Sequence, residues 1–208
     1  MSKSLSGVRA DHKLSYAKLE KRAEYVREVL GIASDSHIDP AKLFEDLDEI
    51  SVTSGNVSIP LRGGVIEIED SEGYTHYDKK RSCIEILAST QVYEWLERGH
   101  PRAAYFVAHE LGHCLLHTEQ LVRLAQMPTN QQAAFHRGLA VHRAFEDTEW
   151  QANNFASALL MPAKGIFTLE ERFGELQEHV VASAFRVSYE AAGFRLRLFN
   201  ERRSELLG

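Results

Sequence analysis

The sequence predicts an α+β fold: N-terminal helices, then a small, mainly antiparallel sheet, then an almost entirely helical remainder. Apolar residues recur at helical spacing before residue 50 and again after Pro101, whereas β-rich runs separated by turn residues occupy 51–87. The 208 residues can bury one core with a small appended lobe. We therefore expect a main domain over residues 1–165 and a small helical C-terminal subdomain over 166–208 packed on it.

Local start and stop signals place the N-terminal and central helices. The first helix should end at Gly31, which suits a left-handed cap, and its apolar row is Leu19, Ala23, Val26 and Leu30. Asp39 followed by Pro40 predicts the N-cap and first residue of a second, short helix. A further short helix is expected over 91–98, and Pro101 should open the next one.

The β-rich region contains three apolar runs, Val57 with Ile59, Val65 to Ile68, and Cys83 to Ile86. The pair Gly63-Gly64 predicts a turn or bulge between the first two, since no phosphate-loop pattern surrounds it. The third run lies just before the helix that opens at Pro101, and an edge strand is expected over 83–87.

Composition restricts the classes of function. The net charge of -6 argues against a surface that neutralises many phosphates, so direct nucleic-acid binding would need a local patch. Cys83 and Cys114 form no CxxC pair, and Cys114 is predicted to be a small buried apolar residue. Residues 1–13 are polar, and no stretch approaches the roughly 20 apolar residues needed to span a bilayer. We expect a cytoplasmic protein.

The motif His109-Glu110-Leu111-Gly112-His113 carries the chemistry. Histidines four residues apart on a helix lie on one face, about 6 Å apart at the backbone, where both can bind one zinc ion. Glu110 leaves the same helix on a neighbouring side, close enough to take a proton from a water molecule bound to the metal and so to act as a general base. Apolar flanks bury this helix, and buried histidines need partners that a metal supplies. Gly112 predicts the close approach of another backbone or of substrate.

A catalytic zinc usually takes a third protein ligand, and the sequence offers several downstream. Glu149 is the best, because small residues share its helical face and would let its helix approach the first one closely; these are Ala152, Asn153 and Ala156. The alternatives are Glu146, Asp147, His136, His142 and His117. Glu146 and Asp147 are better explained as a solvated acidic helix start. His117 lies about 12 Å from His109 along the axis, so it should support or pack against the site.

These motifs resemble the ImmA/IrrE family of metallopeptidases. The resemblance rests on His109 to His117, on the ExxAN pattern from Glu149 to Asn153 with Met161-Pro162 after it, and on Phe185 to Leu196. It implies a zincin-like fold, zinc ligation by His109, His113 and Glu149, and Glu110 as catalytic base. It also implies a cytoplasmic endopeptidase that relieves repression by cleaving a DNA-bound, helix-turn-helix repressor. In this chain an additional helical piece around 131–143 separates the two metal motifs.

Two other interpretations remain open. The segments 176–185 and 189–200, joined at Val187-Ser188, have the outline of a DNA-binding helix-turn-helix, but residues 166–208 carry six arginines against seven glutamates. Packing or repressor docking is therefore favoured over DNA contact. A zinc-containing regulatory module without catalysis is the second alternative, against which the position of Glu110 argues. Four side chains are candidates for stabilising an oxyanion, namely Tyr74, His76, Tyr77 and Tyr105.

Overall fold

A computed structural model of the chain describes residues 8–128 and 143–208. These residues form an α+β fold, as predicted. Along the chain, helices come before and after the four strands of one sheet. The elements are α1 (Tyr16–Val29), α2 (Pro40–Glu45), a 3-10 turn (Asp46–Glu49), β1 (Ser51–Ser54), β2 (Val57–Ile66), β3 (Gly73–Asp78), β4 (Cys83–Ser89), α3 (Thr90–Glu97), α4 (Pro101–Leu116), α5 (Thr118–Gln126), a 3-10 turn (Ala144–Glu146), α6 (Thr148–Leu160), α7 (Ala163–Phe173), α8 (Glu178–Phe185) and α9 (Tyr189–Leu207).

The predicted helix boundaries are confirmed where caps define them. Gly31 follows α1 with a φ of 66°, the left-handed conformation that glycine adopts at low cost. The Asp39 side chain accepts hydrogen bonds from the backbone N–H groups of Ala41 and Lys42, so it caps α2 as expected. Pro101 is the first residue of α4. Capping residues therefore predicted these boundaries because their interactions are local.

The sheet has the strand order β1-β2-β4-β3. β1 and β2 pair antiparallel, as do β3 and β4, whereas β2 and β4 pair in parallel. The mainly antiparallel character is confirmed, but the prediction of an edge strand over 83–87 is wrong. These residues belong to β4, which lies between β2 and β3 and is buried along most of its length. The edge strand on that side is β3.

The prediction that Gly63-Gly64 forms a turn or bulge is also wrong. Both glycines continue β2 and pair with Ile86 and Leu87 of β4. A Cβ atom on Gly63 would come within 3.1 Å of Phe44, and one on Gly64 within 2.8 Å of a Leu87 methyl group. The glycines thus allow β2 to pack closely against Phe44 and Leu87, and such packing has no local signature in the sequence.

Helix α4 packs closely against α6 at Gly112. A Cβ atom at this position would lie 3.0 Å from Phe155 and 3.3 Å from the Cα atom of Ala152. The predicted close approach of a second backbone is therefore confirmed. This contact fixes the separation of the two helices at the residue before His113 and about one turn from Glu149.

The apolar core extends through the whole described chain, including both sides of the predicted boundary at residue 165. Its fully buried members include Leu19 of α1, Ile86 of β4, Leu111 of α4, Phe155 of α6 and Phe199 of α9. The division into a main domain and a C-terminal subdomain stays a prediction. Among the helices of residues 8–128 and 143–208, none has the length and apolar content that crossing a membrane demands.

The C-terminal helices have the predicted helix-turn-helix outline. Arg186 adopts a left-handed conformation with a φ of 53°, and the Ser188 hydroxyl accepts from the backbone N–H of Ala191 to cap α9. Arg195 of α9 is buried and points into the protein, where its guanidinium donates to the Met161 carbonyl at 2.8 Å. Because the positive charge of Arg195 is buried in contacts within the protein, it does not contribute to a surface that could bind DNA.

A buried ion pair joins the first and last helices. Glu20 of α1 contacts Arg195 at 2.6 Å, and both side chains are 1 % exposed. The other Glu20 oxygen accepts from the backbone N–H of Ala163, also at 2.6 Å, and so satisfies a donor at the start of α7. One carboxylate therefore connects α1, α7 and α9.

We predict that Glu20→Ala lowers the free energy of unfolding by about 3–5 kcal/mol, because Arg195 would remain as an uncompensated buried charge. Urea denaturation measures the change. Glu24→Ala is the matched control, since Glu24 pairs at 2.9 Å with Lys164, whose side chain is 56 % exposed, and exposed pairs contribute about 0–1 kcal/mol. Equal losses in the two variants would contradict the prediction.

Candidate metal centre

Three side chains that sequence reasoning selected converge at one point between α4 and α6. The Nε2 atoms of His109 and His113 are 3.1 Å apart. Each lies 3.3 Å from a different carboxylate oxygen of Glu149. Residues separated by about 40 positions in sequence thus present two imidazole nitrogens and a carboxylate toward a common centre.

The local folding explains this convergence. His109 and His113 are one helical turn apart on α4, so their rings extend from the same face. Glu149 lies in the first turn of α6, and the Asp147 side chain caps this helix by accepting from the Trp150 N–H at 2.8 Å. Because the cap fixes where α6 begins, it also determines which turn faces the histidines.

The donor set fits a divalent transition metal. The candidate ligand atoms of His109, His113 and Glu149 all lie within 4.8 Å of one another. The imidazoles of His109 and His113, each 3.3 Å from the carboxylate, hold the pKa of Glu149 well below its usual range, so this group is ionised. Burial disfavours the charged form of His109, but the hydrogen bond with Glu149 and the nearby carboxylates outweigh it and raise its pKa. Two imidazoles and one carboxylate form a ligand set typical of zinc.

Glu110 lies beside these residues and is held by a residue that sequence reasoning missed. The Thr75 hydroxyl of β3 donates to Glu110 Oε2 at 2.7 Å. Thr75 stands between the predicted candidates Tyr74 and His76, and alternation along a strand directs its side chain to the opposite face. This face is the one that meets α4.

His117 contacts His113, in agreement with the prediction that it supports or packs against the site. The Nδ1 atoms of the two rings are 3.3 Å apart, and His117 Nε2 lies 3.1 Å from Gln151 Oε1 of α6. Burial lowers the pKa of His117 to about 4, so the ring is neutral at neutral pH. Gln151 was not identified from the sequence.

The prediction that Glu146 and Asp147 form a solvated acidic helix start is wrong, because neither residue is exposed to solvent. Both residues are buried. The Lys13 ammonium, 2.7 Å from Glu146, and the backbone N–H of Arg143 lower the pKa of Glu146 to about 2. Asp147 caps α6. Each acid is committed to a structural contact, which leaves Glu149 as the acid that faces the histidines in the described chain.

The candidate metal centre opens into a cleft of about 400 Å³ between β3 and α5. Tyr74 lines it, while the Tyr105 hydroxyl donates to Asn153 at 2.7 Å and His76 faces Glu85 at 3.5 Å. Tyr77 packs against the core. Of the four oxyanion candidates, Tyr74 is the one among the lining residues, which are Val8, Gly73, Tyr74, Thr75, His109, Glu110, His113, His117, Gln120, Leu121, Leu124, Thr148 and Glu149.

Two further predictions can be placed. Cys114 is fully buried in the core, as expected, and burial raises its thiol pKa well above the usual range. The additional helical piece over 131–143, with the alternative ligands His136 and His142, lies outside the described residues except for Arg143.

A family model matches the part of the chain that carries the candidate site. The peptidase M78 family, described as the IrrE N-terminal-like domain, matches residues 97–197, which span α4, α6 and most of the C-terminal helices. Over these residues, just under half of the chain, the sequence matches the model of this family, which supports an assignment to the ImmA/IrrE family. The mixed sheet beside the histidine-bearing helix is consistent with the zincin-like fold expected for this family.

A solved structure described as a Mycobacterium tuberculosis transcriptional regulator is similar to this chain with a TM-score of 0.47 and 16 % sequence identity. The match covers 87 % of this chain and 55 % of that one, so the chain spans about half the length of that protein. No curated protein matches the sequence.

Proposed function

We propose that the protein is a zinc-dependent endopeptidase that hydrolyses a peptide bond in a protein substrate. The observation that carries this proposal is the convergence of His109, His113 and Glu149, with the Glu110 carboxylate beside them in the same cleft. In the proposed enzyme, the metal is held by His109, His113 and Glu149, and Glu110 is the general base. The match to the family model over residues 97–197 supports the same class of protein.

The residues of the chain have distinct tasks in this mechanism. When bound, zinc supplies a Lewis acid that polarises a peptide carbonyl and acidifies water. Glu110 accepts the proton of the attacking water and returns it to the leaving amine, while the Thr75 hydroxyl holds the carboxylate in place. Thr75 is a positioning residue.

The strand β3 is the proposed substrate guide. It pairs with β4 on one side and forms the end of the described sheet, and Gly73, Tyr74 and Thr75 line the cleft. An extended peptide can add to such an edge through backbone hydrogen bonds, which brings one carbonyl over the metal centre. This replaces the sequence-based expectation that the guiding edge lies over 83–87.

We further propose that the substrate is a helix-turn-helix repressor and that cleavage relieves repression in the cytoplasm. The support is the resemblance to the ImmA/IrrE family, together with a C-terminal region whose buried Arg195 serves packing. The net charge of -6 favours a protein partner over direct nucleic-acid contact.

A zinc-containing regulatory module without catalysis is the second candidate. The same ligand triad would serve it, so the two candidates differ at Glu110. A purely structural site has no need of a carboxylate beside the ligands, held by a hydroxyl at 2.7 Å and open to the cleft. This contact favours the peptidase.

The test is cleavage of a helix-turn-helix repressor encoded beside this protein's gene, followed by mass spectrometry. We expect defined fragments with zinc-loaded protein, none after chelation, and recovery when zinc is restored. Stoichiometric zinc binding and repressor binding without any cleavage would favour the regulatory module. Absence of zinc binding would overturn both candidates.

A further inference from the structure

The imidazole of His113 has polar partners on both of its nitrogens. Its Nε2 lies 3.3 Å from Glu149, in the candidate metal centre, whereas its Nδ1 lies 3.3 Å from Nδ1 of His117. Two imidazole nitrogens can share one hydrogen between them, so one Nδ1 donates and the other accepts. Which ring donates decides whether Nε2 of His113 has a lone pair to offer to a metal.

Gln151 decides this question because its own orientation is determined. Its Nε2 group lies 2.7 Å from the carbonyl of His12 and 2.9 Å from the carbonyl of Phe145. Carbonyl oxygens only accept hydrogen bonds, so the amide nitrogen must point toward them. The amide oxygen Oε1 consequently points toward His117, at 3.1 Å from its Nε2.

The protonation of both rings follows. An amide oxygen only accepts, so Nε2 of His117 carries a hydrogen. His117 is 5 % exposed, and its hydrogen-bond partners in the described ranges are His113 and Gln151, neither of which is a carboxylate. A charged ring there would be buried without an anionic partner, so His117 is neutral and its Nδ1 accepts. His113 must then donate through Nδ1.

We propose that Gln151 and His117 form a positioning relay that holds the hydrogen of His113 on Nδ1 and thereby directs its Nε2 lone pair to the metal. The inference rests on the proposed metal centre and adds two residues to it. The relay begins at backbone carbonyls of His12 and Phe145, on both sides of the contact between the N-terminal segment and the start of α6. Metal ligands are commonly oriented by such outer hydrogen bonds.

The first test reads the tautomers directly. Long-range ¹H–¹⁵N NMR of the full chain labelled with ¹⁵N-histidine, recorded without metal and with zinc, assigns each ring hydrogen. We expect His117 to carry its hydrogen on Nε2 in both samples, and His113 to carry its hydrogen on Nδ1 in the zinc-loaded one. A hydrogen on Nδ1 of His117 would overturn the relay. This measurement requires no peptidase activity.

The second test measures zinc affinity by competition with a chelator. His117→Leu should weaken zinc binding by about 10–100-fold, the usual effect of losing an outer partner of a metal ligand. His117→Asn should retain most of the affinity, because its amide oxygen can accept from Nδ1 of His113. Equal affinity of His117→Leu and the unchanged protein would overturn the proposal, as would equal weakening in both variants.

Two controls separate the relay from other failures. Urea unfolding of the metal-free variants reports any loss of packing, and the visible spectrum of the cobalt-loaded proteins reports ligand geometry. A changed cobalt spectrum in His117→Leu, restored in His117→Asn, is expected from a positioning role. If the unchanged protein binds no zinc, the proposed function and the metal-directing role of the relay both fail, while NMR still decides the tautomers.

Discussion

The protein with Glu110→Gln is expected to bind zinc and substrate normally and to cleave the substrate about 10²–10⁴-fold more slowly, the usual contribution of general acid–base catalysis. Glutamine preserves the size of the side chain and can still accept the hydrogen bond from Thr75, which lies 2.7 Å from the carboxylate. It cannot take the proton of the attacking water. Cleavage rates under single-turnover conditions measure the effect.

Glu119→Gln is the matched control for this variant, because Glu119 is an exposed acid in the first turn of the neighbouring helix α5. The control should cleave at the rate of the unchanged protein. Zinc content and substrate binding of Glu110→Gln must stay the same, so that a lost ligand or a lost fold is ruled out. Full activity in Glu110→Gln would remove Glu110 as the base.

The helices could be predicted because their ends depend on neighbouring residues. Asp39, Pro101 and Ser188 act within three residues of their own positions, as caps or as the first helical residue. The sheet depends on distant partners instead. Gly63-Gly64 has the composition of a turn, yet both residues continue an extended strand, and Phe44 leaves little room for a side chain at Gly63.

The order and direction of the strands could not be predicted from the sequence either. Apolar runs in β2 and β4 do not reveal that the two strands are parallel neighbours, or that β3 covers the outer side of β4. The prediction therefore placed the substrate edge one strand too far into the sheet. Parallel pairing depends on the connection between the strands, which has no local signature comparable to a hairpin turn.

The candidate site likewise contains residues that the sequence could identify and residues that it could not. The histidine pair follows from helical periodicity, and Glu149 could be ranked first because Ala152 on its face allows α6 to approach Gly112. Thr75 and Gln151 could not be found from the sequence. They act on residues 35 and 34 positions away, through contacts that exist when β3, α4 and α6 are packed together.

Glu149→Ala is expected to weaken zinc binding by more than the ~10–100-fold that loss of an outer partner produces, because it removes a proposed ligand itself. The carboxylate also lies 3.3 Å from both histidines, so its loss leaves the two imidazoles without an anionic partner. Metal analysis by mass spectrometry and competition with a chelator measure the loss. Cleavage should fall in proportion to bound zinc.

Two variants separate ligation from charge. Glu149→Gln keeps the length of the side chain and one carbonyl oxygen, so it should bind zinc better than Glu149→Ala and less well than the unchanged protein. Glu119→Ala removes an exposed acid of the same charge and should leave affinity unchanged.

Unchanged zinc content in Glu149→Ala would contradict the proposed ligand set. It would direct the search to His136 and His142, because the contacts of Glu146 with Lys13 and of Asp147 with the Trp150 N–H already occupy the other two acids.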